Sequence, residues 1–287
     1  VQNKITSVDV FFRLVKIRLS LTVTFSAVTG YLLAPNPDSH SLFIVIAGVL
    51  SLASGSSALN QVEEQKIDIL MERTKHRPLP SGEMTPFVAL IISFILILTG
   101  TLLLSDKGWL PALLGLITVI LYNFIYTSLK RISVLSIFPG ALVGAVCPLI
   151  GWTASGSTLF HPSALFVAIF VFLWQVPHFY LLLLQYSNDY KKAGIPGIFD
   201  LMSDFGIKVL IFIWIVLTSI FLSLFPLFQL NIKPSLIPFL VLLNLSFIIL
   251  FYKFLFKKKS DKPIRLAFIL INSFVVVVFI ILILGRL

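Results

Sequence analysis

Residues 60–82 read NQVEEQKIDILMERTKHRPLPSG. Five of the chain's 12 acidic residues fall in this stretch or on its border: Glu63, Glu64, Asp68, Glu72 and Glu83. Lys66, Arg73, Lys75 and Arg77 share it. Apolar tracts flank it on both sides, where charge is costly and calls for a reason. Those flanks decide the fold. A chain of 287 residues that is 58% hydrophobic, with 27 Phe and a mean hydropathy of +1.02, is no ordinary soluble domain. Its apolar runs are continuous rather than alternating, which excludes a β-barrel. The spans predicted are 19–35, 41–59, 86–104, 109–126, 134–152, 163–184, 207–228, 235–252 and 264–285. The expectation is an all-α, polytopic membrane protein with nine transmembrane helices, one domain over residues 1–287.

The formal charge of +10 could point to nucleic acid. The basic residues, however, sit in short gaps between apolar tracts, where membrane orientation accounts for them and no nucleic acid is expected. With alternating spans, nineteen of the 22 Lys and Arg residues fall on one side, leaving Lys107, Lys233 and Arg286 on the other. That bias predicts a cytoplasmic N-terminus and an external C-terminus. The segment KFLFKKKSDKP at 253–263 reads as an anchor beside anionic lipid. A single Cys147 excludes a disulfide framework. The first residues show neither a cleavable signal nor a transit pattern, so the expected location is a prokaryotic plasma (inner) membrane. Residues ahead of the first span, Lys16 and Arg18 among them, read as an interfacial lead-in helix.

Asn60, Glu64 and Asp68 recur at i, i+4 and i+8, along one face of a helix that extends the second span. Two carboxylates and an amide oxygen are hard donors of the kind Mg²⁺ takes, usually with phosphate and water. A solvated loop helix is the plainer alternative. Arg73, Lys75 and Arg77 alternate ahead of Pro78, Pro80 and Gly82, and Lys130 with Arg131 forms a second basic pair at the same membrane face. Arg forks and Lys point charges suit phosphate oxygens, although orientation alone could place bases there. Acids and bases together are the stronger signal, since an anchor needs no acids. After the sixth span, His178, Gln185 and Asp189 step by seven and four toward Lys191 and Lys192. His178 lies in an apolar run, which implies either a buried partner or a cavity.

These stretches resemble the UbiA superfamily of intramembrane prenyltransferases, and within it the branch that farnesylates haem. Asn60, Glu64, Asp68 and MERTKHRPLPSG at 71–82 are similar to the first family motif. YTSLKRIS at 126–133, FPGALVGAVCPLIGW at 138–152, and WQVPHF at 174–179 with DYKKAGIPG at 189–197 resemble later blocks. Lys66 and Gln185 stand where family members commonly carry acids. The resemblance implies nine helices around a central cavity, with farnesyl diphosphate and haem B as substrates and Mg²⁺ as cofactor. It implies Asn60, Glu64, Asp68 and Asp189 as metal donors. Arg73, Lys75, Arg77, Lys130, Arg131 and Lys192 would meet diphosphate, and His178 would meet the haem. An aromatic or quinone-precursor acceptor remains the alternative. Contact with a haem-copper oxidase assembly, or with the next haem-modifying enzyme, is a further expectation.

Overall fold

The structure, a computed structural model, describes residues 7–230, 232–257 and 263–286. Lys4, Lys258, Lys259 and Lys262 of the basic count lie outside the described residues. In chain order come α1 (Ser7–Leu14), α2 (Ile17–Leu33), α3 (Ser39–Asp68), α4 (Pro86–Ser105) and α5 (Trp109–Ile120). A π-helical turn, Leu121–Tyr126, joins α5 to the single turn α6 (Thr127–Leu129). Then follow α7 (Ile137–Ala154), α8 (Pro162–Gln185), α9 (Ser187–Lys192), α10 (Asp204–Ser223), α11 (Ile237–Tyr252) and α12 (Pro263–Arg286). No strand occurs among the described residues.

Among the described residues, eight helical runs are long and apolar enough to cross a bilayer, and α2 is a ninth apolar helix of 17 residues. The all-α integral membrane fold expected from hydropathy is therefore present, with helix ends shifted by a few residues. The largest shift is informative. The second span runs unbroken from Ser39 to Asp68, 30 residues, so Asn60, Glu64 and Asp68 stand on a continuous helix. Local chemistry sets the starts. Asp38 accepts from the Ser41 N–H at 2.8 Å to cap α3, and Thr85 precedes Pro86 at the first position of α4.

Helices that are apolar all round must find partners by shape rather than by hiding from water. Gly30 of α2 and Gly151 of α7 permit this. A Cβ on Gly30 would collide with the Pro148 backbone, and one on Gly151 with the Ala27 carbonyl. The two backbones therefore touch. One apolar cluster gathers Phe166, Phe170, Phe247 and Phe274, with Phe247 and Phe274 stacked at 3.7 Å between centroids. A second joins Ala27, Tyr31, Val49, Leu52, Leu104 and Ile150. Phe43, Phe87, Phe94 and Phe239 are left exposed on the outer surface, as a lipid-facing shell requires.

Candidate active site

The last turns of α3 form one wall of a cavity of about 470 Å³, whose other walls come from α2, α5 with its π turn, α7, α8 and Phe268 of α12. Asn60, Glu64 and Asp68 are all buried and all line it. Each meets a partner carried from elsewhere in the chain. Lys16 Nζ donates to Asn60 Oδ1 at 2.6 Å, and Lys130 forms an ion pair with Glu64. Arg77 Nη1 reaches both Asp68 oxygens, at 2.9 and 2.7 Å. Lys66, two residues round the helix from Glu64, is exposed and lines no part of the cavity. Its departure from the family's acids therefore leaves the cavity wall unchanged.

The π turn supplies the facing wall. It brings Tyr122 and Tyr126 into a stacked pair with centroids 5.7 Å apart, both lining the cavity. Between them Asn123 points at α3. Its Nδ2 donates to the Ser56 carbonyl at 3.1 Å and to Glu63 Oε2 at 3.0 Å, while Ser56 Oγ donates to its Oδ1 at 2.5 Å. One turn on, Thr127 Oγ1 accepts from Asn60 Nδ2 at 3.0 Å and donates to the Tyr122 carbonyl at 2.9 Å. Lys130 then reaches back to Glu64. Burial, the largest single influence, opposes its charge, but the Glu64 carboxylate and the neighbouring Tyr190 and Tyr122 together raise its pKa.

The segment 69–85 closes the polar end through named contacts rather than regular structure. Thr74 Oγ1 donates to the Asp68 carbonyl at 3.0 Å, and the Arg73 N–H donates to Asp189 Oδ2 at 3.1 Å. The Arg73 guanidinium lies 4.8 Å from the Tyr186 ring centre. On the other flank, Arg13 pairs with Glu83 and donates to the His76 carbonyl at 3.0 Å. Gln61 Nε2 holds the Arg13 and Leu14 carbonyls, each at 2.8 Å. So α1 is strapped against the site. Lys16 follows it in the left-handed region, φ 47°, which turns its side chain into the cavity. Burial and then the Arg77 charge push its ammonium pKa well below the usual lysine value.

Of the residues singled out from sequence, Asn60, Glu64, Asp68, Arg73, Arg77, Lys130 and His178 line this one cavity. His178 sits against Phe268 and Trp174, with ring centroids 4.9 and 5.1 Å away. Lys75, Arg131 and Lys192 are elsewhere. Lys75 pairs with Glu72, Lys192 approaches the same carboxylate at 3.9 Å, and Arg131 Nη2 donates to the Glu63 carbonyl at 2.6 Å. Asp189 is buried but outside the lining, with one oxygen committed to the Arg73 backbone. Gln185 is outside it too, its amide donating to Tyr186 Oη at 3.2 Å. Sequence reading missed Lys16, Asn123 and Thr127. A lysine ahead of an apolar span carries no mark that separates snorkelling from an inward turn.

Among the described residues no three His, Cys, Asp or Glu side chains stand close enough to share a metal ion. No ready-made cluster of three such side chains is therefore present among the described residues. That fits Mg²⁺, which is commonly held by one or two carboxylates and completes its shell with substrate phosphate and water. Glu64, Asp68 and the Asn60 amide oxygen are oxygen donors on one helix face at the cavity wall. The cations that now hold them are the groups a diphosphate would attract.

Comparison with known proteins gives a family and a fold. Residues 23–274 match the UbiA prenyltransferase family. A protoheme IX farnesyltransferase from Geobacter sulfurreducens is 44% identical over 179 residues, 62% of this chain; the match covers 66% of that protein, just under two thirds of its length. One from Christiangramia forsetii is 35% identical over 260 residues, 89% of this chain and 86% of that protein. A UbiA homologue from Archaeoglobus fulgidus, solved with DMAPP and Mg²⁺ bound, superposes with a TM-score of 0.75 at 15% identity. It covers 96% of this chain and 99% of that one. At that identity the likeness speaks for the fold alone.

Proposed function

From the premise that the chain belongs to the UbiA prenyltransferase family, we propose that it transfers the farnesyl group of farnesyl diphosphate to a vinyl group of haem B, giving haem O. The observation that carries this reading is the two-part cavity. Four cations, Lys16, Arg73, Arg77 and Lys130, and two carboxylates, Glu64 and Asp68, line its polar end, and an apolar body continues past Tyr122 and Phe179 to His178. A substrate with a charged head and a long apolar tail matches that division. Each tail CH₂ removed from water contributes about 0.8 kcal/mol.

The difficult event is breaking the allylic C–O bond while negative charge gathers on the departing diphosphate. Lys16, Lys130, Arg73 and Arg77 stabilise that charge from fixed positions on the cavity wall, where preorganised cations act strongly. Asn60, Glu64 and Asp68 would hold Mg²⁺, which supplies Lewis-acid neutralisation of the leaving group when bound. Asp189 contributes by fixing the Arg73 backbone. The stacked faces of Tyr122 and Tyr126 offer electron density to the allylic cation. Carbon 1 of the farnesyl group then joins the terminal vinyl carbon. The charge passes to the carbon next to the porphyrin ring, and a water captures it to give the hydroxyethylfarnesyl group.

On this reading the chain sits in a prokaryotic plasma membrane, N-terminus in the cytoplasm and C-terminus outside. The deciding experiment is mass analysis of the product formed by purified protein from Mg²⁺, farnesyl diphosphate and haem B. A farnesylated, hydrated haem is expected. An unchanged haem B beside a prenylated aromatic acceptor would move the chain to the other branch of the family.

A further inference from the structure

The cavity has two arms of unequal depth. On α8 its deepest lining residue is Gln175, packed so closely on Gly144 of α7 that a Cβ there would collide with the carboxamide. Along α7 the lining continues past that level through Cys147 to Ile150, about 9 Å further at a rise of about 1.5 Å per residue. Val49 and Leu52 of α3 and Gly115 of α5 line the same deep end, and no charged side chain reaches it. Three helices agree on where it stops. One turn further on, Val45 of α3, Ala112 of α5 and Ala154 of α7 no longer line it; they are buried in one apolar cluster with Val49 and Ile150. The polar end fixes the other limit. On the unbroken α3, Val49 lies about 16 Å along the axis from Asn60, again at about 1.5 Å per residue. Three extended isoprene units span that drop, and a fourth does not fit above the floor. Leu52 narrows the arm on the way down. A Cβ on Gly100 of α4 would meet Leu52 Cγ at 2.8 Å, and one on Gly115 would meet Leu52 Cδ1 at 2.5 Å. The two glycines let the Leu52 side chain draw back against α4 and α5.

We propose that Val49, Leu52 and Gly115 set the length of the prenyl chain. The tail descends the arm between α3, α5 and α7, and its last unit ends against Val49 and Ile150. The inference rests on the proposed reaction and deepens it by assigning the arms; the shallower one, with His178, is left to the acceptor. A longer tail would have to place its end carbons where packed side chains already stand, and a close-packed apolar cluster has no room to yield. A shorter tail leaves the floor unfilled and forgoes the contacts there.

The test uses full-length protein in lipid nanodiscs with Mg²⁺ and the unreactive thiolo analogues of geranyl, farnesyl and geranylgeranyl diphosphate, read as dissociation constants. Wild type is expected to bind the farnesyl analogue most tightly. Val49→Leu, which adds a methylene at the floor, is expected to lower the farnesyl-to-geranyl affinity ratio about tenfold, the scale of one misfitting methylene in an apolar pocket. Gly115→Ala moves that ratio the same way from a different helix, by pushing Leu52 inward. Ile150→Ala lowers the farnesyl-to-geranylgeranyl ratio instead, because it deepens the floor. Each variant is first checked for a monodisperse elution peak, and any one that folds decides; the wild-type comparison needs none of them. Ratios unchanged in the folded variants would overturn the proposal, and so would equal affinity of the wild type for all three chains. Leu19 of α2 lines the cavity and is exposed on the outer surface. A ratio that follows Leu19→Ala rather than the floor variants would send the tail out toward lipid, and overturns the proposal too. Product mass with haem B is read separately. A wild type that shows the chain-length preference yet leaves haem B untouched removes the haem reading alone. One that binds none of the three analogues removes the prenyl-transfer reading, and this inference with it.

Discussion

Two acidic regions approach the same end of the bundle, and they do different work. On α3, Glu64 and Asp68 line the cavity and hold cations across it. After α8, Asp189 is also buried but is not among the residues lining the cavity, and its Oδ2 accepts the Arg73 N–H. Both look like acidic motifs in sequence. The difference lies in what the carboxylate meets. One set is neutralised by side chains that a diphosphate could draw away, the other by a backbone amide that no substrate displaces.

Removing Mg²⁺ with a chelator is the broadest challenge to this division. If the proposed α3 donors hold Mg²⁺ with the substrate phosphate, transfer should fall by more than about 10³-fold and return on adding Mg²⁺. Next, Asp68→Ala should lower kcat/KM by roughly 10²- to 10³-fold, a magnitude typical of losing one electrostatic contributor to charge development. Asp189→Ala should cost less, about ten- to a hundredfold, as an indirect support does. Asp189→Asn should recover most of that loss, since its amide oxygen still accepts from Arg73. An Asp189→Asn variant as inactive as Asp68→Asn would erase the distinction and return Asp189 to the metal. Last, Lys66→Ala should leave steady-state rates within about twofold, as exposed substitutions usually do.

The helices, their order and the i, i+4, i+8 face of α3 were legible from hydropathy and periodicity, because both are local properties. The continuous helix to Asp68 follows from them. The alternation of Arg73, Lys75 and Arg77 was misleading for the same reason. In an irregular segment no period dictates direction, and Arg73 and Arg77 turn inward while Lys75 pairs with Glu72 at the surface. Lys16, Asn123 and Thr127 were not legible because their partners lie 44 to 67 residues away. Arg131 and Lys130 are adjacent in sequence, yet only Lys130 reaches the cavity.

That last contrast has its origin in the π turn at Leu121–Tyr126. A π turn is one residue inserted into a helix, and each residue of an α-helix advances the angular phase by about 100°. Everything C-terminal to the insertion is thereby rotated, which aims Thr127 at Asn60 and Lys130 at Glu64. Deleting Phe124 or Ile125, both exposed on the lipid side, would heal the helix and undo that rotation. The expected product is a chain at least as helical by circular dichroism, with Lys130 dialled out of register with Glu64. The site thus depends on a surplus residue whose own side chain it never touches.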